Sequence, residues 1–179
     1  LFDMPCFDSL TTAFATAGTG GFSFRNIVMS AYNPYSQTVM TVFMVLFSMN
    51  FTIYYLVLIG RLRQALRSEE MWVFLGILAV ASLFIAVNSL PIFGSFGEAF
   101  RHAACTAASI MSTSGFSISD FNLWPWASKT LLVMLMFVGA CAGSTGGGIK
   151  IVRVIIGVKL ARRGVQRAIH PQQIKCIHV

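Results

Sequence analysis

The sequence contains few charged residues, and three long stretches contain none. Of its 179 residues, 11% are charged and 56% are hydrophobic, which is outside the usual composition of a soluble domain. Residues 26–60, 71–97 and 130–149 have no Lys, Arg, Asp or Glu. Each stretch reaches the roughly 20 apolar residues that cross a bilayer core of about 30 Å. The sequence therefore predicts an all-α, multi-pass membrane protein, with the lipid bilayer as its surroundings.

Motifs for metal, redox, nucleotide and catalytic chemistry are also missing. The four cysteines include no C-x-x-C pair, and Cys105 and Cys141 lie in apolar stretches, so these two are expected to be buried thiols rather than part of a metal or redox centre. The glycine-rich residues 143–148 are followed by Ile149, where a phosphate-binding loop has Lys. No nucleophile, base and orienting group occur together. We therefore expect no enzyme activity and no cofactor in the chain, with a membrane enzyme as a distant alternative.

The net charge of +7 comes from bases that cluster at one end of the apolar stretches. Most Lys and Arg lie in residues 61–67 and 150–175, whereas Glu98 and Asp120 lie near the opposite ends. This distribution follows the positive-inside rule, which places the basic segments in the cytosol. The positive charge thus indicates membrane topology, and we expect no nucleic-acid partner.

A short motif occurs twice at one fixed offset, as Thr19-x-Gly21-Phe22-Ser23 and as Thr113-x-Gly115-Phe116-Ser117. Each copy follows a predicted helix, at residues 7–17 and 98–111. The first of these covers only about 16 Å and is too short to span a bilayer. A longer apolar stretch follows each turn, and residues 35–60 are predicted to form one full span. The pattern predicts repeats that consist of a span, a re-entrant pore helix, a turn and a second span.

The repeated turns have the composition expected of a cation-selective filter. Glycine lets the backbone direct its carbonyls inward, carbonyls replace the hydration shell of a cation, and the negative end of each short helix points towards its turn. The candidate cation-binding residues are Thr19, Gly20, Gly21, Thr113, Ser114 and Gly115. Loops that only pack helices together are the alternative interpretation.

Five glycines among the ten residues 139–148 predict a break in the last apolar stretch. They cost about 4–5 kcal/mol of helix propensity, and irregular backbone at membrane depth must be buried in protein or line a cavity. We expect a gate loop across a pore, with the Ser144 and Thr145 hydroxyls facing ions and few side-chain contacts holding it. Its residues are Gly143, Ser144, Thr145, Gly146, Gly147 and Gly148. Helix packing through Gly139, Gly143 and Gly147 stays open as an alternative.

Several stretches resemble the Trk/Ktr/HKT superfamily of potassium transporters, and bacterial Trk-type subunits most of all. They are Phe7-Asp-Ser-Leu, Gly20-Gly21-Phe22-Ser23, Ser109-Ile-Met-Ser-Thr-Ser-Gly115-Phe116, Asp120-Phe-Asn-Leu-Trp-Pro125 and Gly143-Ser-Thr-Gly-Gly-Gly-Ile-Lys150. The resemblance implies four repeats around a pseudo-fourfold pore. We expect this chain to be a fragment, with residues 1–67 forming the later part of one repeat, 68–165 a complete repeat, and 166–179 a cytosolic loop.

The resemblance also implies a function. Potassium would be the permeating ion, taken up across the inner membrane through a gated, carbonyl-lined pore, with Gly21 and Gly115 as filter glycines and residues 143–148 obstructing the pore below them. It implies a homodimer of the full-length chain and a cytosolic nucleotide-binding regulatory subunit. The turns differ from the Thr-Val-Gly-Tyr-Gly of potassium channels, so modest selectivity is expected. The alternative is a non-conducting accessory membrane subunit or fragment.

Overall fold

A computed structural model describes residues 5–21 and 32–169. Phe22 and Ser23 of the first motif and residues 170–179 of the predicted cytosolic loop lie outside that part. The helices are α1 Cys6–Ala17, α2 Pro34–Ser48, α3 Phe51–Leu58, α4 Leu62–Leu66, α5 Glu69–Phe93, α6 Phe96–Met111, α7 Trp126–Phe137 and α8 Ile151–Ile169, and a 3-10 turn covers Phe121–Leu123. The predicted all-α class is confirmed.

Within the described residues, α5 is the one helix that is long and apolar enough to cross a membrane by itself. It begins after Ser68, whose Oγ accepts a hydrogen bond from Met71 N–H at 3.5 Å. It ends at Gly94, which adopts the left-handed conformation with φ 66°. Pro91 lies inside the last turn of α5. It has no N–H to donate to the Val87 carbonyl, and only two helical residues follow it, so the helix ends within one turn of the proline.

Residues 35–60, which the sequence predicted as one full span, form two helices. Helices α2 and α3 meet at 91° across Met49 and Asn50, and the bent pair is either one broken span or a re-entrant segment. The full span stays a prediction. Asn50 begins α3, because its Oδ1 accepts a hydrogen bond from Thr52 N–H at 2.9 Å. The Tyr54 hydroxyl donates to the Leu46 carbonyl at 2.6 Å across the bend. An Asn side chain favours a helix start over a helix interior, which explains the position of the break.

The largest core lies where α6 packs along α5. On α6, Ala99, Ala103 and Ala107 are fully buried in this core, together with Ile85 and Ala86 of α5. Such small side chains let two helices approach closely. This packing holds α6, and with it the second repeated turn, against the membrane-crossing helix.

The last apolar stretch is broken, as the sequence predicted. The 12-residue helix α7 ends at Phe137, and α8 begins only at Ile151. Helix α8 then continues to Ile169, although a loop was predicted from residue 166. No proline lies between Pro125 and Pro171, so none interrupts the basic helix before Ile169. The predicted division at residues 67 and 68 coincides with the α4–α5 connection and stays a prediction.

Candidate functional site

The two repeated turns share an unusual backbone geometry. Among the described residues other than glycine, only Thr19 (φ 48°) and Thr113 (φ 58°) have positive φ. Two positions later, Gly21 (φ 67°) and Gly115 (φ 71°) are left-handed as well. A β-branched residue in this region is a genuine outlier, and such strain concentrates at functional sites. The repeated sequence motif is thus also a repeated structure.

Equivalent main-chain hydrogen bonds end α1 and α6. After α1, three N–H groups bond back to helix carbonyls: Gly18 to Phe14 at 2.9 Å, Thr19 to Thr16 at 3.3 Å and Gly20 to Ala15 at 2.9 Å. After α6, the matching bonds are Ser112 to Ala108 at 2.8 Å, Thr113 to Ile110 at 3.1 Å and Ser114 to Ser109 at 3.0 Å. This closure normally has glycine at its left-handed position. Threonine occupies that position in both turns, so each turn carries a hydroxyl.

The two turns lie against each other through their backbones. A Cβ on Gly21 would lie 2.4 Å from the Ser114 carbonyl oxygen, so only glycine fits there. The Ser114 side chain points elsewhere: its buried Oγ contacts Ser112 Oγ at 2.6 Å and donates to Met44 Sδ at 2.9 Å. The carbonyl of Ser114, and not its hydroxyl, therefore faces the first turn.

Both threonine hydroxyls contact the glycine-rich loop, which comprises the non-helical residues 138–150 between α7 and α8. Thr19 Oγ1 donates to the Gly18 carbonyl at 2.8 Å and to the Thr145 carbonyl at 3.1 Å. Thr113 Oγ1 accepts a hydrogen bond from Gly147 N–H at 2.8 Å. The structure thus brings together the three segments that the sequence singled out separately.

The glycine-rich loop closes on itself at its ends. Gly139 N–H donates to the Ile149 carbonyl at 3.0 Å, and Val138 forms an isolated bridge with Ile149. A Cβ on Gly139 would lie 2.2 Å from the Gly147 carbonyl oxygen. Gly139 therefore permits the closure of the loop rather than contact with another helix, which favours the loop interpretation over helix packing at this residue.

The loop is anchored in the bend between α2 and α3. The last carbonyls of a helix lack partners within it, and here the loop supplies donors for two of them. The three hydrogen bonds are Cys141 N–H to the Ser48 carbonyl at 3.1 Å, Thr145 Oγ1 to the Phe47 carbonyl at 3.4 Å and Phe51 N–H to the Gly143 carbonyl at 3.2 Å. The bend, which the sequence did not predict, thus binds the loop, which the sequence did predict.

Charged side chains also hold the loop. Glu70 Oε1 accepts a hydrogen bond from Ala142 N–H, and Lys150 Nζ donates to the Gly146 carbonyl. Ser144 Oγ donates to the Cys141 carbonyl at 2.7 Å. The expectation that few side-chain contacts hold the loop is therefore wrong. The role of the Ser144 and Thr145 hydroxyls towards ions stays a prediction.

Main-chain carbonyls and threonine hydroxyls are the groups that these turns offer to a cation. Across residues 5–21 and 32–169, no group of three or more His, Cys, Asp or Glu is placed to hold a metal ion. Cys105 and Cys141 are buried, as expected, and they are free thiols. Cation binding at the six predicted filter residues stays a prediction.

Known proteins are similar to this chain in sequence and in fold. A protein-family model described as TrkH, cation transport protein, matches residues 71–179. The chain is 30% identical to the Trk system potassium uptake protein TrkH of Halomonas elongata, over 98% of this chain and 37% of that protein. It is 29% identical to the Trk system potassium uptake protein TrkG of Escherichia coli, over 100% of this chain and 38% of that protein. The crystal structure of the potassium transporter TrkH from Vibrio parahaemolyticus matches with a TM-score of 0.91 and 28% identity, over 99% of this chain and 39% of that one.

The two relatives and the crystal structure match almost the whole chain, whereas the family model begins at residue 71, after the first repeated turn. The chain spans less than two fifths of the length of these relatives, as the covered shares of 37% and 38% indicate. The relatives are transporters rather than enzymes, and the resemblance to Trk-type subunits is confirmed. The chain is part of a membrane protein and belongs to the TrkH family of cation transport proteins.

Proposed function

We propose that the full-length protein takes up K⁺ across the cell membrane through a gated pore lined by main-chain carbonyls. The observation that carries this proposal is the contact between the two equivalent turns and the loop, through Thr19 with Thr145 and Thr113 with Gly147. The relatives named above as potassium uptake proteins support K⁺ as the ion. The chain covers 37% of the Halomonas protein, so the proposal concerns the full-length parent.

The filter part of the proposal depends on the direction in which the main-chain carbonyls of the two turns point. Left-handed Gly21 and Gly115 leave no side chain between the turns, and Ser114 directs its carbonyl towards the first turn. Carbonyl oxygens from four such turns would replace the hydration shell of a cation. The C-terminal ends of α1 and α6, which carry partial negative charge, precede the turns and add to the attraction.

The gate part depends on the loop at residues 143–148. Its bonds to Thr19 and Thr113 put it in contact with both turns, so an ion leaving them meets the loop first. Passage therefore requires a second position of the loop. A bound partner would open the pore by binding this second position of the loop more tightly than the closed one.

We further propose the inner membrane as the location and a homodimer of the full-length chain as the assembly. A cytosolic nucleotide-binding subunit is the proposed regulator. The basic helix α8 supports that part, because it follows the loop directly and lies on the predicted cytosolic side. K⁺ is the permeating ion, and no cofactor is proposed within this chain.

The test is Gly115→Ser in the full-length protein, expressed in cells that lack potassium uptake. The left-handed conformation costs a non-glycine residue roughly 1–2 kcal/mol, so the turn should distort and the K⁺-to-Na⁺ permeability ratio should fall severalfold. Gly157→Ser on α8 is the matched control, because a Cβ there meets no atom within 4 Å. An unchanged ratio for Gly115→Ser at normal expression would make the turn purely structural. Failure of the wild type to restore potassium uptake would favour the non-conducting subunit.

A further inference from the structure

Two adjacent glutamates at the start of α5 contact different parts of the last apolar stretch, which the glycine-rich loop interrupts. We propose that one of them, Glu70, is a positioning residue that keeps the gate loop in its closed place. Its side chain is 8% exposed, and its Oε1 accepts the hydrogen bond from Ala142 N–H. This inference rests on the proposed gate and names a residue outside the loop that controls it.

The environment of Glu70 makes this bond a strong one. A buried carboxylate is costly unless it is paired or hydrogen-bonded, and bonds from N–H groups to an ionised carboxylate are about twice as strong as neutral ones. Glu70 lies in the first turn of α5, where the helix dipole favours negative charge. The helix start thus fixes a charged acceptor directly opposite the loop backbone.

Glu69, the neighbour of Glu70, holds the helix that follows the loop. Its Oε2 lies 2.6 Å from Lys159 Nζ on α8, but Glu69 is 67% exposed and Lys159 is 34% exposed. An exposed ion pair contributes little, so this contact supplies much less than the buried bond. Glu69 therefore offers a matched control at the adjacent position.

A cavity beside Glu70 leaves room for movement. It has a volume of about 500 Å³ and lies between Arg67 and Ser68, at the α4–α5 connection, and Val152 and Ile155 on α8. A shift of α8 can carry the loop away from Glu70 without forcing atoms into a filled space. Because Glu70 contacts the loop and neither repeated turn, it should change how often the loop is closed and leave ion selectivity unchanged.

The experiment measures the position of the loop through Cys141, which is adjacent to Ala142 and fully buried. In the full-length protein with all other cysteines replaced, the rate of Cys141 modification by a small maleimide is measured for the wild type, Glu70→Ala, Glu70→Gln and Glu69→Ala. Glu70→Ala should raise the rate by about tenfold or more, the factor expected for loss of a hydrogen bond to a charged group. Loss of the Glu70 charge beside the thiol also raises the reactivity of Cys141, so the decisive comparison is between Glu70→Ala and Glu70→Gln, which both lack that charge. Only Glu70→Gln keeps an acceptor oxygen, so it should react more slowly than Glu70→Ala, whereas Glu69→Ala should stay near the wild type.

Flux separates this inference from the proposed function. In liposomes without any partner subunit, Glu70→Ala should raise K⁺ flux at an unchanged K⁺-to-Na⁺ ratio. An unchanged Cys141 rate in an assembled Glu70→Ala protein, or an equal acceleration in Glu69→Ala, overturns the inference. Should Glu70→Ala fail to assemble, a wild-type rate for Glu70→Gln overturns it. A wild type without K⁺ flux refutes the transport proposal, while the labelling rates still decide the role of Glu70.

Discussion

Substitution by alanine should move the loop at one of its glycines and not at another. Gly139→Ala should displace the loop, and Gly147→Ala should leave it in place. Helix packing would predict similar responses, because Gly139 and Gly147 share the four-residue spacing of small-residue interfaces. The pair therefore tests whether the loop geometry is the reason for the glycines.

The difference in free energy between the two variants can be estimated from the distances between an added Cβ and the nearest atoms. At Gly139, a Cβ would lie 2.2 Å from the Gly147 carbonyl oxygen and 2.9 Å from Gly148 Cα, both of them backbone atoms. Overpacking costs about 1–3 kcal/mol, and weakening the Gly139–Ile149 hydrogen bond adds about 0.5–1.5 kcal/mol. At Gly147, the nearest atoms belong to the Thr113 side chain at 3.5 Å or more, which is ordinary contact. The Gly139 variant should thus favour the displaced loop by roughly 2 kcal/mol more, or about 30-fold.

The assay is again the modification rate of Cys141 in the full-length protein, with dimer content in detergent as the control for assembly. Gly139→Ala should be modified about 30-fold faster than Gly147→Ala, which should match the wild type. Equal rates in the two assembled variants would refute the loop geometry. A larger effect at Gly147 than at Gly139 would refute it as well.

Topology, loop length and α8 each provide a further test. Single cysteines at Ser68 and Ser95, in a background without native cysteines, should react with an impermeant thiol reagent from opposite faces of the membrane; reaction of both from one face contradicts the crossing by α5. Deletion of residues 144–147 should raise K⁺ flux and retain the dimer, because the loop ends are already joined by a hydrogen bond, whereas loss of both flux and dimer contradicts the gate. Gly157→Ala should raise the thermal midpoint of the purified protein, because the added Cβ meets no atom within 4 Å and Ala is favoured over Gly in a helix by about 1 kcal/mol. A lower midpoint would contradict that prediction.

The sequence predicted those features that depend on local backbone requirements. The repeated Thr-x-Gly spacing indicated two equivalent turns, and both adopt the left-handed conformation at the same two positions. The run of glycines indicated where the last apolar stretch breaks, because five glycines outweigh the two helix-forming alanines among the ten residues 139–148. Helix α6 was recognised as a separate short helix, although its first residue is Phe96 rather than Glu98. Each of these features is encoded within a few neighbouring residues.

Contacts between distant main-chain groups could not be predicted. Nothing in the sequence around Glu70 indicates the N–H of Ala142, 72 residues later, as its partner. The Ser114 hydroxyl points towards Met44 of the preceding repeat, and the Ser114 carbonyl faces the other turn. Composition alone suggested Ser114 as a cation ligand and did not indicate which of its two oxygens faces that turn. For the bend at Asn50, the only local signal was this asparagine between Ser48 and Thr52, and the apolar residues on both sides indicated one continuous span.

The bend and the loop satisfy each other's backbone groups, and this limits how the proposed gate can move. Within a membrane, each unsatisfied backbone group costs several kcal/mol, so a 91° break in one repeat and a non-helical stretch in the next would each be unfavourable alone. The loop satisfies the Ser48 carbonyl through Cys141 N–H, and the bend satisfies the Gly143 carbonyl through Phe51 N–H. A loop that leaves its place therefore exposes polar groups on both sides, and water entering the opened pore is the natural replacement partner. Opening and hydration are thus coupled, which favours two discrete positions of the loop over a continuous range.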